Sequence, residues 1–191
     1  MRLFRPTGHL ELALVFGAGM RAWPPRLPDQ PIFYPVLNRA YGQQIASRWN
    51  TAAPGRVGYV TEFEVDDAVA ARWPRQVVGA SVHEELWVPA EALPEFNAAL
   101  VGLIRVVDAF YGEGFTGLVP ETGPLAGLDA VAQRAVVVAD PEAAVAECPV
   151  PVFLHYPLWV RMGAGEWQDD LRAAWGERHR HIALLEVGDA G

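Results

Sequence analysis

The sequence predicts an α+β fold, with strand-like and helix-like stretches that follow one another without the regular alternation of a doubly wound sheet. Two local patterns support that class. Gly58-Tyr59-Val60-Thr61-Glu62-Phe63-Glu64-Val65 places Tyr59, Thr61, Phe63 and Val65 on one side at a period of two, as a strand requires. The stretch from His9 to Phe16 is largely apolar (Leu10, Leu12, Leu14, Val15, Phe16). It follows Thr7, a residue type suited to an N-cap, and stops at Gly17 and Gly19, which marks a helix.

The elements follow in order. Met1-Arg2-Leu3-Phe4-Arg5-Pro6 alternates apolar and basic residues before a proline and reads as a short first strand. After the helix, residues 23 to 35 hold five prolines in thirteen positions, mixed with Trp23, Phe33 and Tyr34. Proline lacks an N–H and locks φ, so this segment suits a rigid loop rather than a helix or a central strand. A second helix is expected from about Val36 to Trp49, then a turn over Asn50–Gly55 and the strand already described. A short helix over Asp66–Trp73, strands at Arg75–Val78 and His83–Val88, a helix opened by Pro94 and a strand over Leu103–Tyr111 complete this part.

Gly112 to Gly127 is rich in Gly, Pro and Thr and divides the chain into residues 1–115 and an extension over 116–191. The extension predicts strands at Val136–Val138 and Val152–Tyr156, a helix from Asp140 to Cys148, a helix over Glu166–Gly176 and a last strand over Ile182–Val187. It therefore reads as a small strand–helix–strand unit packed on the first part.

Composition narrows the function classes. The chain has 191 residues, about half of them apolar and 20% charged, as in a packed globular protein. The net charge of −8 opposes nucleic acid or anionic membrane as a partner, because both need basic surface to displace counterions. All 15 basic residues are arginine, so an anion site would use guanidinium forks. One cysteine, Cys148, excludes an internal disulfide and fits a reducing compartment. No leader-like N-terminus or membrane-length apolar run is visible, so a cytoplasmic location is expected.

The strand His83-Glu84-Glu85-Leu86-Trp87 is the most function-like feature. Alternation puts His83, Glu85 and Trp87 on one face and Glu84, Leu86 and Val88 on the other. A carboxylate hemmed in by large apolar residues needs a partner, because burying it unpaired is costly. A solvated edge strand is the competing reading. Arg5, at the end of the first strand, could present its fork to a phosphate or carboxylate, or make an ordinary ion pair. The proline-rich loop supplies Trp23, Arg26, Phe33 and Tyr34, which could stack on a flat ring and clamp an anion, or simply cover the core.

Other groups carry less. His179-Arg180-His181 has the spacing of some metal sites, with Asp169 and Asp170 upstream, but lacks a third placed ligand and reads better as a basic turn. His9 and His155 stand alone on apolar stretches and read as satisfied histidines. No glycine-rich phosphate loop and no serine or cysteine nucleophile motif is present, and no metal is implied.

Residues 2 to about 111 resemble a group of short bacterial proteins labelled "ADP-ribosylation/crystallin J1". The likeness lies in Leu3-Phe4-Arg5-Pro6, Pro24-Pro25-Arg26-Leu27-Pro28, Gln30-Pro31-Ile32-Phe33-Tyr34-Pro35-Val36-Leu37-Asn38, Trp49-Asn50-Thr51 and Glu85-Leu86-Trp87-Val88-Pro89-Ala90-Glu91. ADP-ribosyl hydrolases of that type are all-helical and bind magnesium through clustered aspartates, which this sequence lacks. The element order instead resembles an ADP-ribosyltransferase-like mixed sheet with flanking helices. The resemblance implies that Glu85 is the catalytic carboxylate and Arg5 the NAD anchor. His83, Tyr34 and Arg26 would contact NAD as substrate, and Thr51, or Thr61, would stand in for the middle Ser or Tyr element. It implies an NAD-dependent ADP-ribosyltransferase-like enzyme that cleaves the nicotinamide–ribose bond. The alternative is a non-catalytic nucleotide- or protein-binding module, such as a partner or immunity protein. A third class is an interaction module that docks through Trp167 and Trp175.

Overall fold

The computed structural model describes residues 1–79 and 83–185. The first strand, β1 (Arg2–Thr7), leads through Gly8 into helix α1 (His9–Gly17). The proline-rich segment follows, with only a two-residue strand, β2 (Ile32–Phe33), and then helix α2 (Arg39–Ile45). Asn38 caps α2 by accepting the Tyr41 N–H at 2.8 Å, so the helix starts three residues later than the apolar pattern suggests. It ends in a π-helical turn over Ala46–Asn50.

Strand β3 (Val57–Val65), a one-turn helix α3 (Asp67–Ala70), strands β4 (Arg75–Val77), β5 (Glu84–Leu86) and β6 (Val88–Pro89), helix α4 (Leu93–Ala98) and strand β7 (Leu100–Tyr111) complete the N-terminal part. Four helices follow: α5 (Ala130–Ala139), α6 (Pro141–Glu147), α7 (Pro149–Arg161) and α8 (Trp167–His179). The architecture is α+β, with helices and small antiparallel sheets. No helix among the described residues is long and apolar enough to cross a membrane.

β1, β3 and β7 form an antiparallel sheet with β3 in the middle. Val36 extends it. This residue pairs with Phe4 of β1 on one side and with Glu85 of β5 on the other. The Phe4 and Val36 amides donate to each other's carbonyls at 2.8 and 2.7 Å, and Leu86 N–H donates to the Pro35 carbonyl at 2.9 Å. The order across the extended sheet is thus β4, β5, Val36, β1, β3, β7. The expected strand over His83–Val88 divides at Trp87. β5 joins this sheet, while β6 turns away to pair with β2.

Alternation sorts residues onto two faces. One face carries Leu3, Arg5 and Thr7 of β1 and Tyr59, Thr61, Phe63 and Val65 of β3, in the register Leu3↔Phe63, Arg5↔Thr61 and Thr7↔Tyr59. It meets Leu12, Val15 and Phe16 of α1 in the main core. The other face carries Phe4, Val36 and Val60, covered by Tyr41 and Ala46. The π-helical turn lies so close to β3 that a Cβ at Gly58 would collide with the Ala46 carbonyl, and only glycine permits that approach.

The C-terminal part differs from expectation. The strands predicted at Val136–Val138 and Val152–Tyr156 are helical, in α5 and α7, so the extension is a helical unit rather than strand–helix–strand. Its terminal strand is also missing over Ile182–Leu185, while Glu186 and Val187 lie outside the described residues. The cause is burial. A short continuous apolar run has no period that distinguishes a buried strand from a buried helix. Pro151 through Pro157 of α7 are all buried, so that helix is apolar all round, and its Pro149 and Pro151 sit in the first turn, where no N–H is required. In α5 the β-branched run yields to a good cap, Asp129 accepting from the Ala132 N–H at 2.8 Å.

α7 docks on the N-terminal part. The Tyr59 hydroxyl donates to the Leu154 carbonyl at 2.8 Å, and the Phe16 and Phe153 rings lie 5.0 Å apart. One continuous hydrophobic cluster runs from Leu3 through Leu154 to Leu184.

Candidate functional site

Glu85 sits in the middle of β5. Because it pairs with Val36, which in turn pairs with Phe4, its side chain shares the face of Phe4, Val36 and Tyr41. Glu84 and Leu86 point the other way, and Leu86 is fully buried in the main core. Glu85 itself is 9% exposed. Its Oε1 accepts a hydrogen bond from the Trp87 indole N–H at 2.7 Å, so the two side chains lie together as alternation requires. Its Oε2 accepts nothing from the described residues and is not sealed from solvent. No arginine among the described residues forms an ion pair with it.

Aromatic side chains surround this carboxylate. Trp87 is 45% exposed and meets Tyr34, 39% exposed, edge to face at 5.9 Å and 89°. On the inner side, His83 stacks on Tyr41 at 4.3 Å with the rings 17° apart. The His83 nitrogens face the Val78 carbonyl at 3.2 Å and the Gln44 amide oxygen at 3.1 Å. Burial first, and then the nearby Glu85 charge, pushes the Tyr41 phenol above its ordinary pKa.

Arg5 lies elsewhere. It projects from the opposite face of the sheet, its guanidinium 4.6 Å from the centre of the Phe33 ring. Its fork is occupied: Nη2 donates to both Glu11 oxygens at 2.9 and 3.1 Å, Nε to Oε1 at 3.2 Å, and Nη1 to the Tyr34 carbonyl at 3.3 Å. Glu11, in the first turn of α1, also accepts from the Thr7 hydroxyl at 2.6 Å and from Arg26 at 3.0 Å. Arg26 in turn donates to the Gln30 amide oxygen at 3.0 Å. Burial alone would raise the Glu11 carboxyl. The Arg5 charge, the hydrogen bonds from Thr7 and Arg5, and the Arg26 charge outweigh it and hold the group below its usual pKa.

The remaining predicted residues are dispersed. The Thr51 hydroxyl donates to the Ser47 carbonyl at 2.6 Å, and Thr51 lies against Gly112 beyond β7, at the opposite edge of the sheet from Glu85. Thr61 is fully buried beside Arg5 and donates to the Arg5 carbonyl at 2.9 Å. The structure therefore joins Arg5, Arg26 and the Tyr34 backbone in one cluster, and Glu85, His83 and the Tyr34 ring in another. Tyr34 is the hinge between them.

Glu11, Tyr41 and Gln44 were missing from the sequence-based site. Glu11 had a usable signal, a carboxylate in the first turn of a helix that directly follows an arginine-bearing strand. Tyr41 and Gln44 had none, because only the docking of α2 on the sheet brings them to His83.

Of the other flagged groups, His9 is not the satisfied histidine expected, since its Nδ1 is buried without a hydrogen-bond partner among the described residues, whereas His155 is fully bonded. His155 is buried on α7 and accepts the Leu118 N–H at 3.0 Å, while its other nitrogen meets the Gln133 amide oxygen at 2.7 Å. Gln133 then donates to the Leu118 and Leu128 carbonyls, both at 2.8 Å, and pins the loop before α5. Burial, aided by the charge of His9, drives the His155 pKa down to about 3. Trp175 is buried against Phe153 and Phe16. Trp167 is half-buried, with Arg134 over its ring at 5.2 Å.

No family model, curated protein or solved structure matches the chain.

Proposed function

We propose that this protein is a non-catalytic recognition module that binds its ligand at the Glu85, Trp87 and Tyr34 face. The observation that carries this reading is the separation of Arg5 from Glu85. An NAD-cleaving site needs an anchor for the pyrophosphate and a carboxylate at the ribose within one cleft. Here the guanidinium that would serve as anchor is engaged by Glu11 and the Tyr34 carbonyl and stands on the opposite face of the sheet. Neither Thr51 nor Thr61 reaches Glu85 to supply a middle element. Glu85 is held and half-exposed aromatics surround it, which suits binding more than turnover.

One feature favours a second reading, an NAD-dependent ADP-ribosyltransferase-like enzyme. Glu85 is a fixed carboxylate with one free oxygen, and such a group can stabilise the oxocarbenium-like state formed as the nicotinamide–ribose bond breaks. In that case Arg5 would have to exchange Glu11 for the pyrophosphate.

Nicotinamide release from NAD separates the two. The recognition reading expects no release above a protein-free control. Release by the parent chain overturns it, and loss of that release in Glu85→Ala assigns the chemistry to Glu85.

A further inference from the structure

We infer that the surface site formed by Glu85, Trp87 and Tyr34 takes an organic cation bearing N–H donors, with a guanidinium group the best fit. This deepens the recognition reading and rests on it. Four observations on the same site and the charge of the whole chain lead there.

Glu85 is a buried carboxylate without a balancing cation: nine-tenths of it is withdrawn from water, and none of the ion pairs among the described residues includes it. Buried charges in proteins are normally paired, so an unpaired one at a surface opening marks a position where a ligand supplies the counter-charge. Its hydrogen bonding is also half complete. Trp87 occupies Oε1, while Oε2 accepts nothing from the described residues and is not fully enclosed. A quaternary ammonium would supply charge and no donor, whereas guanidinium or a primary ammonium supplies both.

The walls match such a ligand. Trp87 and Tyr34 stand perpendicular at 89° and both are well exposed, forming a corner of two π-surfaces beside the carboxylate. Aromatic faces attract cations, Trp most strongly, and a planar guanidinium can stack on the indole while donating sideways to Oε2. The corner is also preorganised. The Trp87 N–H is tied to Glu85 Oε1, so the indole plane is set before any ligand arrives and little ordering is lost on binding. Finally, the net charge of −8 favours the approach of a cation and disfavours a phosphate at this carboxylate.

The guanidinium could belong to a small metabolite or to an arginine on a protein partner, and the two sources differ in what lies beyond the charged head. The test uses the full chain labelled with nitrogen-15 and follows the Trp87 indole N–H resonance. Methylguanidinium chloride is titrated against sodium chloride at matched ionic strength, with tetramethylammonium chloride in parallel. The expected result is a saturable shift with methylguanidinium, weakened at least tenfold in Glu85→Gln, which keeps an acceptor for Trp87 and loses the charge. Tyr34→Ala, at an exposed position, should weaken it several-fold, and tetramethylammonium should bind more weakly than methylguanidinium. No saturable shift, or one that Glu85→Gln and Tyr34→Ala leave unchanged, overturns the inference. Tetramethylammonium binding as tightly as methylguanidinium overturns it too.

A Gly-Arg-Gly peptide compared with its citrulline counterpart assigns the source. Tighter binding of the arginine peptide than of methylguanidinium points to a protein partner, and the reverse order to a free small cation. Nicotinamide release from NAD by the parent chain would overturn the recognition reading by itself. Without release, the titration alone decides the cation.

Discussion

The two charged clusters beside the proline-rich loop solve the same problem in opposite ways. Around Glu11, two arginines and a threonine converge on one carboxylate, and every oxygen has donors. Around Glu85, one indole N–H serves one oxygen and no cation is present among the described residues. Both carboxylates are largely withdrawn from water, yet only the first is satisfied by the chain itself. A saturated buried cluster holds the fold together, whereas a half-satisfied one beside an opening is a place for a ligand. Arg5 and Glu85 are the two residues that the resemblance joins in one site, and they fall on either side of this division.

The comparison is most severely tested by removing each carboxylate. Glu11→Gln leaves the side chains of Arg5 and Arg26, 10% and 9% exposed, facing each other without their shared counter-charge. Breaking such a buried arrangement by deleting one partner costs about 3–5 kcal/mol, to be read as a lower urea midpoint at unchanged slope. A loss below about 1 kcal/mol would mean that the cluster does not hold the fold.

Acid provides an independent comparison. His155 is kept neutral in the folded state with a pKa of about 3, against 6.5 for the free group, so the unfolded chain binds more protons between these values. Stability contributed by neutral His155 is therefore lost as pH falls from about 6.5 toward 3, at up to about 1.4 kcal/mol per pH unit. Glu11, with a lowered pKa, adds to the loss only as pH falls below its unfolded value of about 4.5. Urea midpoints between pH 7 and pH 5 should thus decline in the parent chain and decline less steeply in His155→Gln, where His9 and His179, their pKa values also lowered by burial, still contribute. A parallel decline in both would remove His155 as the cause.

The smallest effect belongs to the open site. Glu85→Gln keeps an acceptor for Trp87 and removes an unpaired charge, so its stability change should stay within about 1 kcal/mol of the parent, in either direction. Urea unfolding alongside Glu11→Gln reads the contrast directly. Equal destabilisation by the two variants would erase the distinction between a structural and a recognition carboxylate.

Much of the candidate site was legible locally. Alternation correctly separates Glu85 and Trp87 from Glu84 and Leu86, because the strand period of two depends only on the backbone. The same logic places Tyr59, Thr61, Phe63 and Val65 on one face of β3. It also places Arg5 with Thr61 and Glu85 with Phe4, but only once the pairing register is known. No local pattern says that Val36 inserts between β1 and β5 and thereby sets Glu85 opposite Arg5. The extension was misread for a related reason. In Val152–Tyr156 every residue is buried, His155 included, so no alternation of buried and exposed positions is left to carry a period.

By itself, then, the sequence determined the α+β character, the irregular course of the proline-rich loop, and the side of its own strand on which each residue lies. These are properties of dihedral preference and neighbouring residues, and short windows contain them. Only the tertiary structure decided the helical state of the C-terminal extension, the capture of Arg5 by Glu11, and the exposure of Trp87 and Tyr34 around a carboxylate with one open oxygen. Those outcomes depend on which surfaces meet, and the partners are chosen by burial and charge balance across the whole chain rather than by any residue's neighbours.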